Sequence, residues 1–298
     1  MSTHSTSNSH YDIVIVGAGM IGAAAACLLA RSSQNYKTGP LSIALLEANP
    51  ASPFDASHFD PRVAAVTEKS RQLLDRCGVW SAIAKTRVSP FQAMEVWDAE
   101  GTGRIQFNAA EIDQPNLGHI IENSLMVESL LAEVAALNNI DFICPAKIVD
   151  YQQTDDELGI ELDDGRYLQA RLLIAADGAN SSVRQHFDFA TKEWDYGHRA
   201  IVSTIQTELP NQQTAWQRFM PSGPLALLPL NNEGDLNRCS IVWSQETEVA
   251  ERLMALDDSQ FCAELSTASE QCLGKVLSVE KRFAIPLRQR HAADYVVH

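Results

Sequence analysis

The chain has 298 residues, 45% hydrophobic and 20% charged, which suits roughly two ordinary soluble domains with ample core. Its formal net charge of −15 repels phosphate backbones, so nucleic acid is excluded as a partner and broad adhesion to anionic lipid is disfavoured. No apolar run approaches the about 18 residues a membrane span needs, and the six cysteines form no C-x-x-C pair or zinc spacing, so they read as free thiols of a reducing cytosol.

Residues 1–10 are polar and lack the regions of a signal peptide, so a disordered tail is expected there. Residues 13–16 are a β-branched run of the kind buried in a parallel sheet. Gly17, Gly19 and Gly22 follow on G-x-G-x-x-G spacing, with Ala18 inside the same turn, and the Ala-rich residues 23–30 continue as a helix. Strand, glycine turn and helix in that order suit a dinucleotide. Gly17 makes the turn, Gly19 lets a pyrophosphate approach the backbone, and Gly22 brings helix and strand together. The helix N-terminus then faces the phosphates. A glycine turn that binds nothing is the alternative. Residues 41–46 read as a second buried strand ending in Glu47, a candidate acceptor for the adenosine ribose hydroxyls.

A turn-rich loop covers residues 48–58. Thr67 is the expected N-cap of a helix that Gly78 ends. Residues 93–98 and 104–107 alternate around a Gly-rich hairpin turn. Residues 118–126 are expected to open a helix with Leu125, Leu130 and Val134 on its apolar face. Short strands are expected at 141–144, 146–151, 159–162 and 167–169, then a separate buried strand at 172–176. The latter ends in Asp177 and Gly178, which suit a polyol at the carboxyl edge of a sheet or, alternatively, a plain turn. From Trp194 onward, strands at 200–205, 215–219, 225–230 and 239–244 suggest an antiparallel sheet, followed by helices at 246–256 and 258–265. The pattern is α/β: a Rossmann-like nucleotide domain with an inserted, mainly antiparallel sheet domain.

Three stretches taken together carry a family resemblance: Gly17-Ala-Gly-Met-Ile-Gly22, Asp60-Pro-Arg-Val-Ala-Ala-Val66 and Ala175-Ala-Asp-Gly-Ala-Asn-Ser-Ser-Val-Arg184. They resemble the FAD-dependent aromatic hydroxylases. Met94-Glu-Val-Trp-Asp98, Leu117-Gly-His-Ile-Ile-Glu-Asn-Ser124 and Trp194-Asp-Tyr196 are similar to the ubiquinone-biosynthesis branch, in particular the 2-polyprenylphenol hydroxylases acting on ring carbon 5. The resemblance implies a p-hydroxybenzoate hydroxylase-like arrangement. Residues 10–90, 119–190 and 290–298 would form the FAD domain, and 91–118 and 191–289 the substrate domain.

It further implies that Gly17, Ala18, Gly19 and Gly22 face the FAD pyrophosphate and Glu47 the adenosine ribose. Arg62, Asn123, Asp177 and Gly178 would meet the flavin phosphate and ribityl region. A surface ion pair for Arg62 and a helix cap for Asn123 stay open. NAD(P)H would reduce FAD, and a flavin hydroperoxide would hydroxylate a polyprenylated phenol. No catalytic side chain is required, and His119, His186 and His198 read as structural.

Phe219, Leu225, Leu227 and Trp243 are candidates for the ring pocket, with ordinary sheet core as the alternative. The protein would be cytoplasmic, touching the inner membrane peripherally or joining a ubiquinone-biosynthesis complex. An isoprenoid reductase or epoxidase, and a non-catalytic prenyl-binding scaffold, share the same fold. Family members carry a further Gly-Asp motif soon after a position like residues 292–298. Its absence here implies a C-terminally truncated chain that is expected to hold FAD weakly and to be inactive.

Overall fold

The computed structural model describes residues 8–154 and 156–296. β1 (Asn8–Val16) is buried from Ile13 to Val16, turns at Gly17 and passes into α1 (Met20–Ser32), whose alanines let the helix lie close on the sheet. Residues 8–10, expected as tail, are the first rungs of β1 and pair with residues 167–169; residues 1–7 lie outside the described residues. β2 (Ile43–Leu46) is buried at every position and lies parallel to β1.

β3 (Val63–Thr67) runs into α2 (Glu68–Arg76), where Thr67 Oγ1 accepts the Ser70 N–H at 3.3 Å. Gly78, at φ +87°, turns the chain toward α3 (Trp80–Thr86), β4 (Ser89–Phe91) and the hairpin of β5 (Ala93–Asp98) with β6 (Arg104–Asn108). Residues 118–122, expected as the first turns of a helix, are instead β7 (Gly118–Glu122), and α4 (Asn123–Ala136) begins after them. A short apolar run has no period of its own. Here β3 and β4 flank the run, and that pairing decides.

β8 (Ile140–Ile143), β9 (Ile148–Gln153), β10 (Leu158–Leu162) and β11 (Tyr167–Ala175) complete a six-stranded sheet in the order β8-β2-β1-β11-β10-β9. β11 is one strand where two were expected, and its second half is not buried. β10 accompanies it only as far as Ala170, so among the described residues 172–175 have β1 alone beside them, and Leu172 is 51% exposed.

After the short α5 (Ser182–His186) come β12 (Thr191–Thr207), β13 (Thr214–Phe219), β14 (Leu225–Asn232) and β15 (Asp235–Glu246). α6 (Thr247–Ala255), α7 (Asp258–Ala268), β16 (Val276–Val279) and β17 (Phe283–Ala292) follow. They form an eight-stranded sheet in the order β16-β12-β15-β14-β13-β5-β6, with β17 also on β12. Its pairings are antiparallel except β13 with β5.

The two faces of this sheet differ. On one, Trp97, Trp216 and Trp243 pack with Phe261 of α7 in a closed core. On the other, Met94, Ala215, Leu228 and Leu230 pack on Phe59, Phe91 and Ile120. Neighbouring residues of β7 point opposite ways, Ile121 into the core of the nucleotide sheet and Ile120 toward the large sheet, so the three-stranded sheet β3-β7-β4 is the wedge between the two.

Candidate active site: a nucleotide cradle beside the large sheet

The three glycines meet different surroundings. Gly17 has φ +99°, and a Cβ there would lie 2.4 Å from the Ala176 carbonyl oxygen. A Cβ on Gly22 would lie 1.8 Å from the Gly17 carbonyl oxygen. At Gly19 a Cβ would meet nothing within 4 Å, and the space above it is open. Gly19 is also the N-cap of α1, with no side-chain cap and no acidic residue in the first turn. The first N–H groups of α1 and the positive end of its dipole are therefore free for an anion.

Glu47 braces this turn. Its Oε2 accepts the Ala18 N–H at 2.8 Å and its Oε1 the Asn49 N–H at 3.0 Å. A carboxylate oxygen has two acceptor sites, so both can still accept from a diol.

The close contact of Gly17 with Ala176 brings the Asp177 turn beside the glycine turn. Asp177 Oδ2 accepts the N–H groups of Ser182 at 2.8 Å and Val183 at 3.3 Å, so it holds the start of α5. Its other oxygen, Oδ1, is buried with no partner among the described residues. Gly178, at φ +81°, has open space around it. Nearby, the Tyr151 ring lies tilted against His186 at 4.4 Å and packs on Phe187, and burial, then the Asp177 charge, pushes its phenol up to about 12.

Asn123 begins α4 but does not cap it, since Glu122 is the N-cap residue; Asn123 Oδ1 is buried without a partner among the described residues. Its N–H donates to the Arg62 carbonyl at 3.0 Å, which sets these two residues side by side. The Arg62 side chain is exposed and makes no ion pair among the described residues. Asp60 fastens the same corner, accepting the N–H groups of Arg62 at 2.8 Å and Ser124 at 3.1 Å.

Sequence reasoning missed the pair behind this corner. Arg87 donates to Glu122 through Nε at 2.7 Å and Nη2 at 2.8 Å, and both side chains are buried. The same guanidinium binds the carbonyls of Ala56 and His58, which fixes the loop before Asp60. A cavity of about 320 Å³ next to it is lined by Phe54, Arg87 and Asn231, among others; none of the nucleotide-contact candidates lines it.

Three of the four ring-pocket candidates are ordinary sheet core, the alternative left open for them. Leu225, Leu227 and Trp243 are sealed in the core under α6 and α7. Phe219 alone lies on the opposite face, 47% exposed. That face also carries Ser240, whose buried Oγ has no partner among the described residues. His119 packs edge-on against Trp80 at 5.0 Å, and burial lowers its pKa, so it stays neutral at ordinary pH.

The family described as FAD binding domain matches residues 10–297. The chain belongs to that family. It is 34% identical to the ubiquinone biosynthesis monooxygenase COQ6, mitochondrial, of Xenopus tropicalis, across 99% of this chain and 71% of that protein. It is 33% identical to the 3-demethoxyubiquinol 3-hydroxylase of Escherichia coli K12, across 97% of this chain and 71% of that protein. The human COQ6 match covers 87% of this chain and 56% of the human protein. Among solved structures, p-nitrophenol 4-monooxygenase of Pseudomonas putida superposes with a TM-score of 0.71 at 16% identity, over 96% of this chain and 70% of that one. An aklavinone-11 hydroxylase complex with FAD gives 0.65 at 20% identity, over 100% and 56%. The protein therefore has the fold of the FAD-dependent monooxygenases and belongs with them, and FAD is the cofactor of this family.

Proposed function

We propose that the protein is an FAD-dependent monooxygenase that hydroxylates a polyprenylated phenol in ubiquinone biosynthesis, with NAD(P)H as electron donor. One observation carries the reading. The one-third identity to ubiquinone-pathway monooxygenases runs over nearly the whole chain, so it includes the large sheet as well as the nucleotide fold. A shared nucleotide fold alone would speak only for the cofactor.

The residues present suit FAD. Two buried oxygens without partners, Asn123 Oδ1 and Asp177 Oδ1, belong to residues expected at the ribityl chain, and hydroxyl donors would relieve the cost of leaving them unpaired. In this reading the start of α1 and the open side of Gly19 receive the diphosphate, and Glu47 receives the ribose diol. Gly178 leaves room for the chain of the cofactor, and Arg62 supplies a positive charge beside Asn123. When bound, FAD supplies the passage of electrons to dioxygen and the delivery of one oxygen atom to an electron-rich ring. The chain's part is to hold the ring near the cofactor on the apolar face of the large sheet and to keep water from it. His119 is neutral and buried, and no side chain is assigned as acid or base.

Residues 10–90 and 119–190 serve the cofactor in this scheme, and 91–118 and 191–289 the substrate; of the stretch 290–298 expected with the cofactor domain, residues 290–292 are instead the last rungs of β17 and pair with β12 of the large sheet. A prenylated substrate calls for peripheral contact with the inner membrane or with a ubiquinone-biosynthesis complex. No helix among the described residues is long and apolar enough to cross a membrane. The test is to supply the FAD-loaded protein with NAD(P)H, oxygen and a prenylphenol, and to look for a product heavier by one oxygen atom. Turnover of a polyprenyl alkene instead would move the assignment to a reductase or epoxidase.

A further inference from the structure

The register of the large sheet puts a mostly apolar strip, interrupted at Gln217, on the face turned away from α6 and α7. Ile105 stands opposite Val96, Val96 beside Gln217, Gln217 opposite Ala226, and Ala226 opposite Val242. A second row runs alongside, with Phe107 opposite Met94 and Met94 beside Ala215. Residues paired across strands point to the same face, so each row is one line of side chains.

The strip is graded. At its inner end Met94, Ala215 and Leu228 pack against the wedge that adjoins the nucleotide sheet. At its outer end Ile105 is 57% exposed and Phe107 49%, and Phe219 lies open beside them. From β6 to β15 the strip crosses four strand spacings, about 19 Å. β6 is the edge of the sheet, and all five of its residues are exposed. An edge strand that shows aliphatic and aromatic side chains to solvent runs against the usual protection of sheet edges by charge. A strip that is buried where the ring would react and open at the sheet edge suits a ligand with a ring and a long hydrocarbon tail.

We infer that this strip is the track of the substrate's polyprenyl tail. The tail leaves the ring site over Ala226 and Val96 and lies across Ile105 and Phe107 at the β6 edge. This rests on the reading of the substrate as a prenylated phenol. Packing the tail there removes apolar surface of both partners from water, so affinity gains with each tail segment that the strip can cover.

Two measurements test it, one without turnover. A geranylgeraniol carrying a photoreactive diazirine is added to the protein, irradiated, and the label mapped by mass. The label is expected within residues 93–108 and is expected to fall about tenfold in the double variant Ile105→Ser, Phe107→Ser, whose far-UV spectrum and melting temperature are checked against the parent. Label at other sites, label undiminished in the variant, or sedimentation showing that the β6 edge is covered by a second copy of the chain, overturns the track.

The second measurement is the ratio of kcat/KM for a geranylgeranyl phenol to that for the same phenol bearing a methyl group. The double variant is expected to lower this ratio about tenfold, through KM. Leu277→Ser, at an exposed position on β16 at the opposite end of the sheet, is expected to leave it unchanged. Hydroxylation with an unaltered ratio would remove the track and leave the reaction standing. Label mapped to residues 93–108 without any hydroxylation would keep the track and remove the reaction.

Discussion

The chain passes from strand to helix at two neighbouring places on one sheet, and it treats the two helix N-termini in opposite ways. At the first, Gly19 leaves α1 uncapped and its surroundings open. At the second, Asp177 and Ser181 take up the first N–H groups of α5. One helix start is left for a ligand, and the other is closed by the chain itself. What Asp177 retains for a ligand is its second oxygen. Anion binding thus depends on capping left undone as much as on fold, since capped N–H groups have nothing to offer.

That contrast can be broken at its strongest point first. Gly22→Ala forces a methyl group against the Gly17 carbonyl and is expected to cost about 3 kcal/mol, read from urea unfolding, with loss of FAD binding as a consequence. Asp177→Ala removes the closure of α5 and is expected to cost about 1–2 kcal/mol by the same measurement. It should also weaken FAD, as seen by fluorescence titration. Gly19→Ala has room for its methyl group, so folding stability should change by less than about 1 kcal/mol. FAD affinity should nevertheless fall about tenfold, which is the decisive split between the two glycines. Equal FAD affinity in Gly19→Ala and the parent would mean that the open helix start is not where the diphosphate lies.

The smallest effect concerns Tyr151, on which α5 rests. Burial, then the Asp177 charge, raises its phenol to about 12, above the ordinary value of about 10. The folded form keeps this proton longer than the unfolded form does. The contribution of Tyr151 is therefore whole below about pH 10 and is lost as the pH climbs toward 12. Tyr151→Phe should flatten the alkaline fall of the urea midpoint over that window. Tyr11, also raised to about 12, by burial and then by Asp141, should retain part of the slope.

What the sequence disclosed follows the same division between local and distant causes. The glycine turn, the Thr67 cap and the β5–β6 hairpin are set by residues a few positions apart, and all three are legible without coordinates. β7 was not, because an apolar run becomes a strand through the partners that flank it, and those come from residues 63–67 and 89–91. Whether Leu225, Leu227 and Trp243 line a pocket or fill the sheet core stayed open for a similar reason, and they fill the core. Alternation tells that a strand has two faces but not which one α6 and α7 will cover. The embrace of Gly17 by Ala176 and the clamp of Arg87 on Glu122 join segments remote in the chain, and neither has a signal in local spacing. Asn123 could be singled out only through its family position, and what marks it in the fold, an amide oxygen with no partner, is a property of packing.

The second half of β11 has a practical consequence. Among the described residues, 172–175 offer a ladder of backbone groups with a strand on one side only, beside a bare leucine side chain. Such a rim can recruit any extended segment that reaches it, including one from another molecule. The chain should therefore scatter more light as its concentration rises, and a charged residue in place of Leu172 should make it better behaved in solution without disturbing the cradle.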